Sequence, residues 1–343
     1  LADFLARKNF WEMEYLEGLI NDFQGMAVVK IVDYVSYKER KYPLYCLVLG
    51  SRQPEDPSVG FFGGVHGLEK IGSEVVMSYL TTVLELLRWD KSFQKRLESS
   101  TMVFMPIVNP VGIVMRSRSN GNGVDLMRNS PLNSDSSRIP LVSGHTLSSK
   151  LPWYRGNYEG AMETEAKAML QVVEEYLLGA KISIAIDVHS GFGARDRLWF
   201  PYAHSKKPFP YLPEVFAMNE LLDMTYPNHV YEVEPVSRQY TIEGDLWDYL
   251  FLENLAREDH NFFIPFTLEM GSWNWLRKNP FQIFDPLGAF HPMKPHRRSR
   301  TLRRHLYLFD FLHRAIVSPA AWYELEDKDR EIKRRKALDL WYG

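Results

Sequence analysis

One cysteine, Cys46, is all that the 343 residues contain, so no disulfide can form within the chain and a stapled secreted scaffold is excluded. No apolar run approaches the roughly 20 residues of a membrane span. The N-terminal stretch LADFLARKNFWEMEYLEGL is broken by Asp, Glu and Arg and lacks the apolar core of a signal peptide. A cytoplasmic protein is therefore expected, with the reservation that the chain does not begin with methionine. Charge of one sign is also missing. Acidic residues number 43 and basic residues 41, for a net charge of −2, so no global basic field points to nucleic acid or to a membrane as partner. Internal repeats and low-complexity segments are absent.

What is present is ordinary globular material, 45% hydrophobic and 24% charged, long enough for one large or two medium domains. Residues 1–25 read as an amphipathic helix, with Phe4, Leu5, Phe10, Trp11, Tyr15, Leu16 and Leu19 at helical spacing. Two strand-like runs, AVVKIVDYVSY and PLYCLVLG, flank a charged turn and predict a hairpin. Further strands are expected over 59–63, 101–108, 181–188, 198–202, 230–233 and 262–269. Helices are expected over 73–89 (Ser73 as N-cap), 162–178, 213–224, 243–256 and 299–316. A loop-rich tract over 109–158 is too long for a passive connection. Strands alternating with helices predict an α/β fold with a mixed, mostly parallel sheet flanked by helices. The division expected is an N-terminal helical extension (1–25), a catalytic domain (26–316) and a charged, helical and peripheral tail (317–343).

The stretch V59-G-F-F-G-G-V-H-G-L-E69 organises the rest. A buried strand breaks at glycines into a turn that offers an imidazole and a carboxylate three residues apart. In open α/β sheets, ligands sit beyond the carboxyl ends of the strands. Two other predicted strands end in IDVHS and FTLEMGS. Parallel strands gather these ends on one edge. His66, Glu69 and His189 then form a zinc-type ligand set, one ion per chain, with a position left for water. Glu269 is a free carboxylate beside it, placed for general-base work.

The motif order resembles that of the zinc carboxypeptidases, the carboxypeptidase A-like metallopeptidases, over roughly residues 43–316. His66-x-x-Glu69 and A185-I-D-V-H189-S resemble the family's two metal motifs, N109-P-V-G112 its Asn-Pro-Asp-Gly turn, G123-V-D-L-M-R-N129 its Gly-Val-Asp-x-Asn-Arg-Asn segment, and F266-T-L-E269-M-G its catalytic-glutamate strand. The resemblance implies a carboxypeptidase A-like fold and further roles. Asp125 would hold the His66 ring in the metal-binding tautomer. Arg128 would grip the substrate's terminal carboxylate, and Arg118 would stabilise the oxyanion. Tyr240 would close over the substrate. Met127 stands where the family usually has an asparagine, and a thioether donates no hydrogen bond.

Three functions follow. The first is a zinc hydrolase that removes the C-terminal residue of a peptide. The second is a zinc deacylase or amidase of N-acyl amino acids or cell-wall peptides. The third is a non-enzymatic zinc or peptide-binding module, against which an intact Glu269 argues. Arg195 and Arg197, in the loop after His189, would favour an acidic side chain on the leaving residue. Trp199 and Trp247 lining the pocket instead would favour an aromatic or aliphatic one.

Overall fold

A computed structural model describes residues 10–136, 139–157 and 160–343. Its eight strands are β1 (Val28–Tyr37), β2 (Arg40–Gly50), β3 (Ser58–Gly63), β4 (Thr101–Met105), β5 (Ile182–Ser190), β6 (Asp196–Phe200), β7 (Tyr231–Pro235) and β8 (Phe262–Met270). They form one mixed sheet in the order β1-β2-β4-β3-β5-β8-β6-β7. The centre, β4-β3-β5-β8, is parallel. The β1–β2 hairpin joins β4 antiparallel, and β6 runs antiparallel to β8. Every residue of β3, β4 and β5 is buried, as expected of strands covered on both faces. This is the carboxypeptidase A-like arrangement that the sequence predicted.

Alternation along β3 shows the two coverings. Phe61 packs with Tyr79 and Phe309, from the helices Lys70–Trp89 and Leu306–Ile316, while Phe62 meets Trp247 of the helix Leu246–Leu255 on the other face. Burying several such rings, each worth roughly 1.5–3 kcal/mol, fixes the helices on the sheet.

Several boundaries differ from expectation for local reasons. The first long helix starts at Lys70, because the 66–69 turn closes (Glu69 N to His66 O, 3.0 Å) and runs straight into it; Ser73 is buried inside the first turn rather than capping it. β4 stops at Met105, since Pro106 has no N–H for the ladder. The predicted 299–316 helix is two, Pro295–Arg304 and Leu306–Ile316, broken at a buried His305. The N-terminal helix spans Trp11–Asp22, and the expectation for Phe4 and Leu5 lies outside the described residues. The tail helix Asp327–Trp341 is not peripheral at its end. Trp341 is buried, packs on Phe200 and Phe216, and donates to Val233 O at 2.8 Å.

Candidate metal centre and substrate cavity

The turn after β3 is held from beneath by the N109-P-V-G112 segment. Asn109 caps the short helix Pro110–Met115 by accepting from Gly112 N (2.8 Å), and its amide donates to Val65 O (3.1 Å), just before His66. A Cβ on Gly67 would lie 1.9 Å from the Gly112 carbonyl carbon, so only glycine lets these two loops touch. β5 carries His189 on the strand itself, directly opposite Glu269 of β8. The three strand ends thus converge, and ligand atoms of His66, Glu69 and His189 all lie within 4.8 Å of one another.

The partners of these ligands make the centre fit a divalent cation. His66 Nε2 lies 2.9 Å from Asp125 Oδ1, and His189 Nε2 lies 2.7 Å from Asp187 Oδ2. Carboxylates accept, so each ring is assigned its proton on Nε2 and turns the Nδ1 lone pair inward. Inward, Nδ1 of His66 faces Glu69 Oε1 at 2.9 Å and Nδ1 of His189 faces Glu69 Oε2 at 3.0 Å. Acceptors facing acceptors need a cation between them, and two imidazoles with one carboxylate is a donor set that suits zinc. A proton does the same service: burial favours neutral His189, but Asp187 and Glu69 outweigh it and push the ring well above its ordinary value.

Asp125 is fully buried and is the hub of the second layer. Besides His66 it accepts from Arg118 Nε and Arg128 Nη1, both at 2.9 Å, and from Met127 N at 3.2 Å. Burial would raise this carboxyl, but the two guanidiniums and His66 hold it well below the usual range. Arg118 also reaches Glu69 Oε1 at 3.1 Å. Arg128 is buried; its Nε and Nη2 donate to Val142 O at 3.2 and 2.9 Å. Gly244 (φ +72°) lets the chain pass against Arg128, where a Cβ would sit 2.0 Å from the Arg128 carbonyl oxygen.

Above the centre is a cavity of about 590 Å³ whose wall includes His66, Glu69, Arg118, Met127, Arg128, His189, Tyr240 and Glu269. The apolar part of the wall includes Phe192, Trp199, Val236, Ile242, Trp153 and Phe290. Tyr240 contacts the rings of Phe192 (6.0 Å between centroids) and Trp199 (6.4 Å). Glu269 Oε1 accepts from Phe192 N at 2.9 Å. Burial, then the charge of Glu69, raise the Glu269 carboxyl to about 8.

Two expected substrate contacts are placed elsewhere. Arg195 is exposed and pairs with Glu232. Arg197 donates to Glu234 (3.0 Å) and stacks behind the Phe192 ring at 5.4 Å. Neither lines the cavity, because Arg197 on β6 and Arg195 just before it both turn toward acids of the neighbouring strand β7. Trp199 is in the wall, whereas Trp247 lies beneath it, donating to Asp187 Oδ2 at 3.0 Å. The role of Asp187 was not assigned from sequence, although a signal existed: two residues before His189 on a strand is the same face.

The architecture is that of metallocarboxypeptidases. Carboxypeptidase A from Helicoverpa armigera superposes with a TM-score of 0.63 at 17% identity, covering 91% of this chain and 74% of that one. Bovine thrombin-activatable fibrinolysis inhibitor superposes at 0.59 and 20%, covering 89% and 95%. The chain belongs to the zinc carboxypeptidase family, whose profile matches residues 24–274. Among curated proteins, carboxypeptidase SOL1 of Arabidopsis thaliana is 31% identical over 93 residues, 26% of this chain and 19% of that protein. The carboxypeptidase N catalytic chain of Rattus norvegicus is 26% identical over 156 residues, 41% of this chain and 33% of its own length. The chain therefore aligns with a third or less of the length of these relatives.

Proposed function

We propose that this chain hydrolyses the last peptide bond of a polypeptide with a free C-terminal carboxylate. The observation that supports this best is Arg128. Three of the five N–H donors of its guanidinium are engaged by Asp125 and Val142, which fixes the group in the cavity wall. The two that remain suit a carboxylate. Met127 beside it adds no donor, so the grip is a single fork. Tyr240 closes the apolar side over the bound residue. Glu269 takes the proton of the attacking water and returns it to the leaving amine. Arg118 supplies positive charge where the carbonyl oxygen becomes negative. Zinc, when held by His66, Glu69 and His189, supplies Lewis acidity to the same carbonyl and water.

The test compares peptides with free and amidated C-termini, with products read by mass. Wild type should prefer the free acid, and Arg128→Ala should erase that preference. Equal cleavage of both by wild type would remove the carboxypeptidase reading in favour of a zinc deacylase or amidase.

A further inference from the structure

The near-neutral charge of the whole chain conceals a local segregation. The stretch 273–304 holds eight of the 41 Lys and Arg but one of the 43 Asp and Glu, Asp285. Three of these cations serve the fold: Arg297 donates to Trp275 O and Lys278 O, Arg298 to Glu74, and Arg304 to Asp196. Arg277, Lys278, Lys294, Arg300 and Arg303 are exposed. Among them, the turn Pro280–Phe284 protrudes with Phe281 81%, Ile283 63% and Phe284 85% exposed, and Trp273 is 55% exposed nearby in sequence. Large apolar side chains this bare, clustered in one short turn, mark an interaction surface rather than scattered surface noise. Arg297 ties the basic helix Pro295–Arg304 to the helix Trp273–Lys278, which leads directly into the exposed turn, so both cation-bearing helices are fixed beside the segment that carries the aromatics.

We infer that this surface docks on an anionic lipid bilayer. Protruding aromatic and aliphatic tips flanked by exposed cations are the chemistry of peripheral insertion. The tips enter the headgroup–acyl boundary, and the cations meet lipid phosphates and carboxylates. An acidic polypeptide would use the cations but leave Phe281, Ile283 and Phe284 in water. The surface adjoins the cavity, since Trp273 meets the Phe192 ring (6.1 Å) and donates to Gly191 O (3.1 Å). Docking would therefore bring the mouth of the site to the membrane plane.

Co-sedimentation tests this without reference to activity, so its failure is separate from that of the proposed reaction. The protein is mixed with phosphatidylcholine vesicles and with phosphatidylcholine–phosphatidylserine vesicles at roughly two to one. Wild type should sediment with the anionic vesicles, less so at high salt, and little with the neutral ones. Phe281→Ser/Phe284→Ser and Arg300→Glu/Arg303→Glu should each weaken binding by about tenfold or more. Lys328→Glu/Arg334→Glu, on the tail helix, is the charge-matched control and should bind as wild type does. Thermal melts of all variants confirm folding. The inference is overturned if anionic vesicles fail to sediment the protein. It is equally overturned if the phenylalanine variant binds as wild type does while soluble poly-glutamate competes, which would identify an acidic polypeptide as the partner.

Discussion

Glu69 and Glu269 are buried carboxylates of one cavity, and their surroundings drive them apart. Burial raises both. Around Glu69 the two imidazoles outweigh burial and pull the group below the usual carboxylate range. Around Glu269 burial and the charge of Glu69 prevail, lifting it to about 8. A carboxylate that stays ionised suits a ligand, and one that exchanges its proton near neutrality suits a base. Substitution should separate the roles. Glu269→Gln should keep about one zinc per chain and lose ~10²–10⁴-fold in turnover. His66→Ala, Glu69→Gln and His189→Ala should lose the zinc itself. Metal content read beside turnover decides: equal zinc in all four, or turnover of Glu269→Gln within a few fold of wild type, removes the assignment. Asp187→Asn belongs to the same set. Its amide would no longer hold His189 as a carboxylate does, and zinc affinity should fall ~10–100-fold. At this scale the motif residues were legible because each strand end delivers one polar side chain to the same edge. Arg195 and Arg197 were not, since closeness in sequence to His189 says nothing of the acids Glu232 and Glu234, which β7 contributes from 37 residues further on.

Elements were legible where one periodicity ran uninterrupted, and boundaries were lost where tertiary contacts set them. β5 reads as a continuous apolar run because, as a central parallel strand between β3 and β8, it has both faces covered and every residue buried. The start of the helix at Lys70 obeys the 66–69 turn instead of the capping preference of Ser73. The charged composition of the tail helix hid its anchor, because two ring contacts and one hydrogen bond at Trp341 outweigh a polar surface that never needed burial. Trp341 fills space against Phe200 and Phe216 and satisfies Val233 O, so it ties the C-terminal helix to β6, β7 and the helix Leu212–Thr225. Trp341→Ala should cost about 3–5 kcal/mol of stability, read by urea unfolding. A loss under about 1 kcal/mol would mean that the tail is as peripheral as its sequence suggests.

The molecule as a whole carries buried histidines that no motif explains, and one of them sets a pH limit on its stability. His313 is fully buried in the helix Leu306–Ile316, against the Phe93 ring and 2.9 Å from Ser100 Oγ. Ser100 Oγ donates its own proton to Arg96 O at 2.9 Å, so the histidine must donate Nε2–H to that oxygen. Its Nδ1 is then a buried acceptor without a hydrogen-bond partner among the described residues. Adding a proton there would bury a charge, and burial, helped by Arg96, lowers the group to about 3. In the unfolded chain the same ring titrates near 6.5. Between those values the unfolded state holds a proton that the native state does not, so this histidine's contribution to stability rises with pH across the window and is level above it. The slope is about 1.4 kcal/mol per pH unit. Glu74 and Asp245, both raised to about 7, work in the opposite direction over an overlapping range, so wild type alone cannot isolate the term. His313→Gln can, because it retains an amide donor for Ser100 and does not titrate. The variant should be less stable than wild type at pH 7, from imperfect packing. The gap should close by about 1.4 kcal/mol for each unit below 6.5, in unfolding free energies taken at pH 7, 6 and 5. A gap that stays constant across those three values would show that His313 takes up its proton without cost in the folded protein.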